Sequence, residues 1–175
     1  MRVTISGPIG SGKSTSGKIL ADKLGCKFFS GGFFFREKAK QMGMSLEDFG
    51  KYAEKHPEID REIDEMNLEL LRKEDNIVLE SRLAGWISKR NNIPAFRVYI
   101  DAAFYIRKER VTNRGDLSGE EEIIKRENSE RKRYMEFYSI DSEDTSIYDL
   151  IISSDALSAE QVADEIYARI REREK

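Results

Sequence analysis

Eight consecutive residues carry the strongest chemical signal in this chain. Gly7-Pro8-Ile9-Gly10-Ser11-Gly12-Lys13-Ser14, followed by Thr15, matches G-x-x-x-x-G-K-[ST] at every fixed position. Glycines at those places let the backbone wrap closely enough for its N–H groups to face phosphate oxygens. A helix that starts directly behind them points its positive end at the same anion. In such a loop Lys13 would bridge the β- and γ-phosphates and the Ser14 hydroxyl would ligate Mg²⁺. Residues 7–15 are therefore expected to bind a nucleoside triphosphate.

The loop alone does not fix the reaction. A guanine-reading N-K-x-D segment is absent, and the third strand ends Leu79-Glu80-Ser81-Arg82 rather than in the Asp-Glu of motor-type ATPases. Moving a phosphoryl group onto a second phosphate requires two polyanions in contact, so fixed positive charge must offset their repulsion. Arginine suits this because its planar fork grips phosphate bidentately. Arg36 follows Ser30-Gly31-Gly32, and Arg82 follows the third strand. Arg107, Arg110 and Arg114 lie on or just beyond the helix after the fourth strand. Arg126, Glu130 and Arg133 fall at i, i+4 and i+7 and so share one helical face, with Arg131 beside them.

The elements that must hold these groups follow from periodicity. Short apolar, β-branched runs stand at residues 2–6, 27–29, 77–79, 96–100 and 150–152, with helices between them. Gly25 takes a helix C-cap position, and Ser158 with Gln161 forms a capping pair for the last helix. Five strands alternating with helices predict an α/β fold, a five-stranded parallel sheet covered on both faces, of the P-loop NTPase kind. The core is expected at about 1–32, 73–111 and 139–175. Residues 33–72 read as three consecutive helices, an insertion above the C-terminal edge of the sheet, with Ser45 and Asp48 resembling a capping box. A polar lid with a long helix is expected at about 112–138. A flexible Ser30-Gly31-Gly32 and Gly115 would serve as joints, and the helix after the fourth strand is expected from Ala102.

Composition narrows the class. The 175 residues are 39% apolar and 36% charged with a net charge of −3, which argues against nonspecific nucleic-acid binding. One cysteine and one histidine exclude an intrachain disulfide and a cysteine- or histidine-rich metal cluster. No apolar run approaches the ~20 residues of a membrane span. A single-domain, cytoplasmic, monomeric protein without nucleic-acid or membrane partners is the expectation.

The order of these motifs resembles the nucleoside monophosphate kinases, and within them the short archaeal-type cytidylate kinases. The resemblance rests on residues 7–15, 30–36 (S-G-G-F-F-F-R), 45–52 (S-L-E-D-F-G-K-Y), 57–64 (P-E-I-D-R-E-I-D), 80–86 (E-S-R-L-A-G-W) and 128–148, and covers nearly the whole chain. It implies ATP-dependent phosphorylation of CMP, with dCMP as a second acceptor. The helical insertion would bind the monophosphate. On this reading Arg36 and Arg82 hold the acceptor α-phosphate and Ser30 lies near its base or sugar. Arg126 and Arg133 lie over the transferring group, making them catalytic together with Lys13, and Glu130 approaches the acceptor nucleoside. Arg110 and Arg114 belong to the ATP side. Glu80 takes the place of a carboxylate that organises Mg²⁺ through water. Ser81 stands where the family pattern has glycine, and Gly31 and Phe33 also depart from it. Competing readings are an adenylate or small-metabolite kinase on the same scaffold, or an ATPase-type switch with an RNA or protein partner.

Other conspicuous residues have plain expectations. Cys26 should be a packed side chain, His56 a helix-end residue, and Phe33-Phe34-Phe35 packing for the insertion. Trp86 is expected beside the acceptor pocket, its indole N–H seeking a partner.

Overall fold

The computed structural model describes residues 1–113 and 119–173. Arg114, Gly115 and the other residues of 114–118 lie outside the described residues. Five strands, β1 (Arg2–Ser6), β2 (Lys27–Ser30), β3 (Ile77–Glu80), β4 (Phe96–Asp101) and β5 (Leu150–Ser153), form one sheet. Its order is β2-β3-β1-β4-β5, with all neighbouring pairs parallel. The helices are α1 (Lys13–Leu24), α2 (Gly31–Gln41), α3 (Leu46–Ala53), α4 (Pro57–Lys73), α5 (Ala84–Arg90), α6 (Phe104–Asn113), α7 (Glu120–Tyr138) and α8 (Ala159–Arg173).

Strand side chains alternate between the two faces, so each face needs its own cover. Val78 joins Val3, Ile5, Val98 and Ile100 against Leu20 of α1 and Val162 and Ile166 of α8. Ile77 and Leu79 point the other way, onto Leu71 of α4 and Ala84 of α5. The doubly covered parallel sheet matches the sequence expectation. No helix among the described residues is long and apolar enough to cross a membrane.

Helices α2, α3 and α4 follow one another between β2 and β3, and they carry a separate small core of Ala39, Phe49, Ala53, Ile59 and Ile63. Phe34 and Phe35 pack on that core, while Phe33 is 52% exposed. The Ser45 hydroxyl accepts from the Asp48 N–H at 3.0 Å, but it donates to the Asp48 carboxylate at 2.8 Å, so only half of a capping box forms. The pair at the last helix is complete, Ser158 N–H to Gln161 at 2.8 Å and Gln161 N–H to Ser158 at 3.1 Å.

Two expectations need correction. Gly31 and Gly32 are the first turn of α2, not a flexible joint, because the Ser30 side chain caps that helix by accepting from the Phe33 N–H. Helix α6 starts at Phe104 rather than Ala102. The Ala102 and Ala103 N–H groups donate instead to the carboxylates of Asp101 and Asp155, at 2.8 and 2.7 Å.

Candidate active site

The residues after β1 turn sharply through Gly7, Gly10 and Gly12, all with positive φ. A Cβ at Gly10 would stand 2.7 Å from the Arg107 carbonyl oxygen, so the loop can lie against α6 only with glycine there. Helix α1 starts at Lys13, whose ammonium donates to the Pro8 carbonyl at 2.9 Å across the mouth of the loop. Arg107 braces the loop from below. Its guanidinium donates to the Ile9 carbonyl at 2.9 Å and to Glu127 of α7 at 2.6 Å, while the Ile9 N–H donates to the same Glu127 carboxylate at 3.2 Å.

The parallel register sets Ser30 and Ile5 opposite Glu80 at the C-terminal edge of the sheet. Glu80 is 3% exposed, and one of its oxygens accepts from Ser14 at 3.0 Å and from Ser30 at 2.5 Å. A hydroxyl and a carboxylate at that separation are hard oxygen donors beside the phosphate loop, a donor set that suits Mg²⁺.

Above this edge a cleft opens between the loop, the insertion and α7. Ile9, Gly10, Lys13 and Ser14 line its floor, Arg36 and Arg82 its sides, and Arg126, Glu130 and Arg133 descend from α7. The expected helical face at 126, 130 and 133 is therefore turned inward. Arg82 donates to Glu130 at 2.6 Å and to the Gly7 carbonyl, tying the phosphate loop to α7. Burial alone would raise the Glu130 carboxyl, yet Arg82, Arg126 and Arg133 together hold it below the usual range. Arg36 makes no hydrogen bond or ion pair with the described residues and lines both this cleft and the groove behind α2.

The wall contributed by α4 carries three residues that the sequence reading had not singled out. Asp60, Asp64 and Asn67 stand at i, i+4 and i+7 and all reach the cleft. Asp60 is held by Arg133 at 2.7 Å. Neighbouring protein surrounds the Asp64 carboxyl closely enough to push it up to about 7, and the Asp60 carboxylate adds to the rise.

A second groove adjoins the phosphate loop on its other side, between α1, α6 and α8. Ser11, Gly12, Thr15, Arg110, Ser154 and Leu157 line it. Arg110 donates to the Ser154 hydroxyl at 2.9 Å and to the Ser154 carbonyl at 2.7 Å. That hydroxyl in turn donates to the Ser11 carbonyl at 2.8 Å.

Over residues 2–156 the sequence matches the cytidylate kinase-like family. The chain belongs to that family. It is 46% identical over 175 residues to a cytidylate kinase of Thermoplasma volcanium, covering 98% of this chain and 92% of that one. To a cytidylate kinase of Pyrococcus horikoshii it is 47% identical over 163 residues, 91% and 83% of the two chains. Among solved structures, a shikimate kinase from Acinetobacter baumannii superposes with a TM-score of 0.64 at 19% identity, covering 98% and 93%. A gluconokinase from Sinorhizobium meliloti gives 0.62 at 15%, covering 98% and 94%. These two likenesses show the fold.

For this member of the cytidylate kinase-like family, the cleft gathers Lys13, Ser14, Arg36, Glu80, Arg82, Arg126, Glu130 and Arg133 from both halves of the chain. Ser30 lines the groove behind α2 instead of the cleft, and its hydroxyl is engaged by Glu80 and the Phe33 N–H. Arg110 lies in the neighbouring groove, and Arg114 lies outside the described residues. Arg131 faces outward to Glu143. Trp86 does not border the cleft. It lines a separate hollow between α4, α5 and α7, where its buried indole N–H has no partner and Arg90 stacks 5.7 Å from its ring. His56 occupies the N-cap position of α4 without a side-chain cap bond and stacks on Tyr52 at 3.9 Å, and Cys26 packs against the sheet core.

Proposed function

We propose that this protein transfers the γ-phosphoryl group of ATP to CMP, and to dCMP as a second acceptor. The observation that carries the reading is the opposition, within one cleft, of a phosphate loop and the arginines Arg36, Arg126 and Arg133. Loop and helix N-terminus receive the ATP phosphates, with the adenosine in the groove beside Arg110. Arg36 and Arg82 hold the acceptor phosphate. Lys13 and Arg126 face the charge that develops on the transferred group, and Arg133 adds positive potential from behind. Ser14 and Glu80 would hold Mg²⁺, which neutralises the β- and γ-oxygens when bound. The acceptor is already an anion, so transfer needs no general base. What the site must supply is alignment of the two phosphates and exclusion of water. The names of the curated relatives support cytidine over other nucleosides.

A coupled assay of ADP formation across CMP, dCMP, UMP and AMP tests this. The expected result is the highest kcat/KM with CMP and little ATP hydrolysis without acceptor. Turnover independent of acceptor, or a preference for AMP, overturns it.

A further inference from the structure

The part of the cleft beneath Gly31 carries buried polar atoms without well-formed hydrogen bonds. Asn67 is fully buried, and neither its amide nitrogen nor its carbonyl oxygen has a well-formed hydrogen bond, the amide only approaching the Asp64 carboxyl. The Ser81 hydroxyl beside it is likewise buried and unpaired. Both residues line the cleft. They are packed closely under α2, where a Cβ on Gly31 would stand 2.7 Å from the Ser81 Cβ and 3.0 Å from the Asn67 amide nitrogen. Buried polar atoms without partners are costly and uncommon. Three of them together on a cavity wall mark a place where a ligand supplies the missing partners.

The chemistry of the three groups specifies that ligand's edge. A carboxamide offers an acceptor and two donors, a hydroxyl adds a further donor, and Asp64, one turn away on α4, offers a carboxylate. Cytosine presents an amino donor at N4 and acceptors at N3 and O2. We propose that Asn67, Ser81 and Asp64 read the base of the acceptor nucleotide. The Asn67 amide donates to N3, the Ser81 hydroxyl donates to O2, and the N4 amino group donates to Asn67 and Asp64. Uracil turns a carbonyl toward Asp64 where cytosine has an amino group, so the carboxylate form of Asp64, which prevails at pH 8, rejects it. Adenine repeats the amino donor and the ring acceptor but has a C–H where cytosine has O2, which leaves Ser81 unpaired. Asn67 thus secures affinity, and Asp64 and Ser81 set the choice of base. This assignment rests on the proposed CMP kinase activity.

Steady-state kinetics with CMP, UMP and AMP on the wild type and on Asn67→Leu, Asp64→Asn and Ser81→Ala test it. Replacing unpaired polar atoms by an apolar side chain of similar size should leave Asn67→Leu at least as thermostable as the wild type. The kcat/KM of Asn67→Leu for CMP should fall about 10- to 100-fold while its KM for ATP stays within about twofold. Asp64→Asn should raise the UMP:CMP ratio of kcat/KM about tenfold, because an amide can donate to the uracil O4. Ser81→Ala should raise the AMP:CMP ratio. These ratios compare substrates on one folded enzyme, so they decide the matter even if Asn67→Leu fails to fold. A wild type that prefers AMP overturns the activity and the assignment together. A wild type that prefers CMP, with ratios unmoved in Asp64→Asn and Ser81→Ala, overturns the assignment alone.

Discussion

Arg133 of α7 and Asp60 of α4 meet at 2.7 Å with 2% and 6% of their side chains exposed, which makes their ion pair the inner joint between α7 and the insertion. The same guanidinium donates to Ser129 at 2.8 Å and lies 5.3 Å from the centre of the Phe35 ring. It therefore touches α2 and α4 while lining the cleft. Removing one member of a buried pair strands the other. Arg133→Met should thus lower the unfolding free energy by about 3 kcal/mol. The double variant Asp60→Asn/Arg133→Met should cost less than the sum of the two singles by more than about 1 kcal/mol. Urea unfolding of the four proteins measures this, and strictly additive losses would show that the pair is not a coupled unit.

Lys13 is the one cation placed inside the phosphate loop itself, 9% exposed and held across the loop by the Pro8 carbonyl. Its ammonium faces the loop and the cleft rather than the apolar core, so truncation removes charge without opening that core. Lys13→Ala should keep the wild-type circular dichroism and lose about 10³-fold or more in kcat with CMP and ATP saturating. Near-native turnover from a folded variant would remove the loop from the mechanism.

Arg36 differs from Arg82 and Arg133 in having no ion pair or hydrogen bond with the described residues. Its guanidinium is free to take an anion, and its place on α2 lies away from the groove beside Arg110. Arg36→Ala should raise the KM for CMP by about 10- to 100-fold and leave the KM for ATP within about twofold. Equal losses for both substrates would place Arg36 on the donor side instead.

Much of this arrangement is legible in the sequence. The phosphate loop, the five strands and the shared helical face of residues 126, 130 and 133 follow from local spacing, while the family resemblance alone implies that this face turns toward the substrates. What local spacing could not reveal was which polar groups are buried. Asp60, Asp64 and Asn67 lie on the polar side of an amphipathic helix whose apolar stripe is Ile59, Ile63, Met66 and Leu70, so they read as a solvated face. They become an interior wall only because β3 and α7 close over them. Gly31 and Gly32 read as a joint for a similar reason. The sequence shows two permissive residues, but the capping bond from the Phe33 N–H to Ser30 and the tight packing on Ser81 draw them into a helix. The bracing role of Arg107 depends on Glu127, twenty residues further on, and so was hidden as well.

The Asp64 carboxyl, raised to about 7, makes stability depend on pH in a definite direction. Asp60 and Arg61 neighbour it on α4, Arg133 and Tyr138 approach from α7, and Glu65 and Arg90 share the hollow behind it. In the unfolded chain this group loses its proton near pH 4, as an ordinary carboxyl does. Between about pH 4 and 7 the folded protein therefore binds more protons than the unfolded one, and stability falls as pH rises through that window. Asp64→Asn cannot ionise. It should melt above the wild type at pH 8, with the gap closing as pH falls toward about 4. A gap independent of pH, measured by thermal denaturation across the window, would mean that Asp64 ionises normally.

The final prediction concerns closure over the two substrates. On the outer side, α7 meets α3 and the turn after it through Lys132–Glu54 at 2.7 Å and Lys125–Glu47 at 3.5 Å, with both lysines about half exposed. Exposed pairs of this kind contribute little and weaken with salt. Inside the cleft, Arg36 and Arg126 stand with Arg82 and Arg133 on separate elements, so phosphate lying between them would draw those elements together. Either nucleotide alone supplies phosphate to one wall only. A bisubstrate analogue linking adenosine and cytidine through a phosphate chain should therefore protect the amides of 31–73 and 120–138 from hydrogen exchange far more than ATP or CMP alone. The sheet amides should change little. Protection confined to residues 7–15 on binding the analogue would show that α2–α4 and α7 do not close on the ligand, and that their arginines act from a fixed frame.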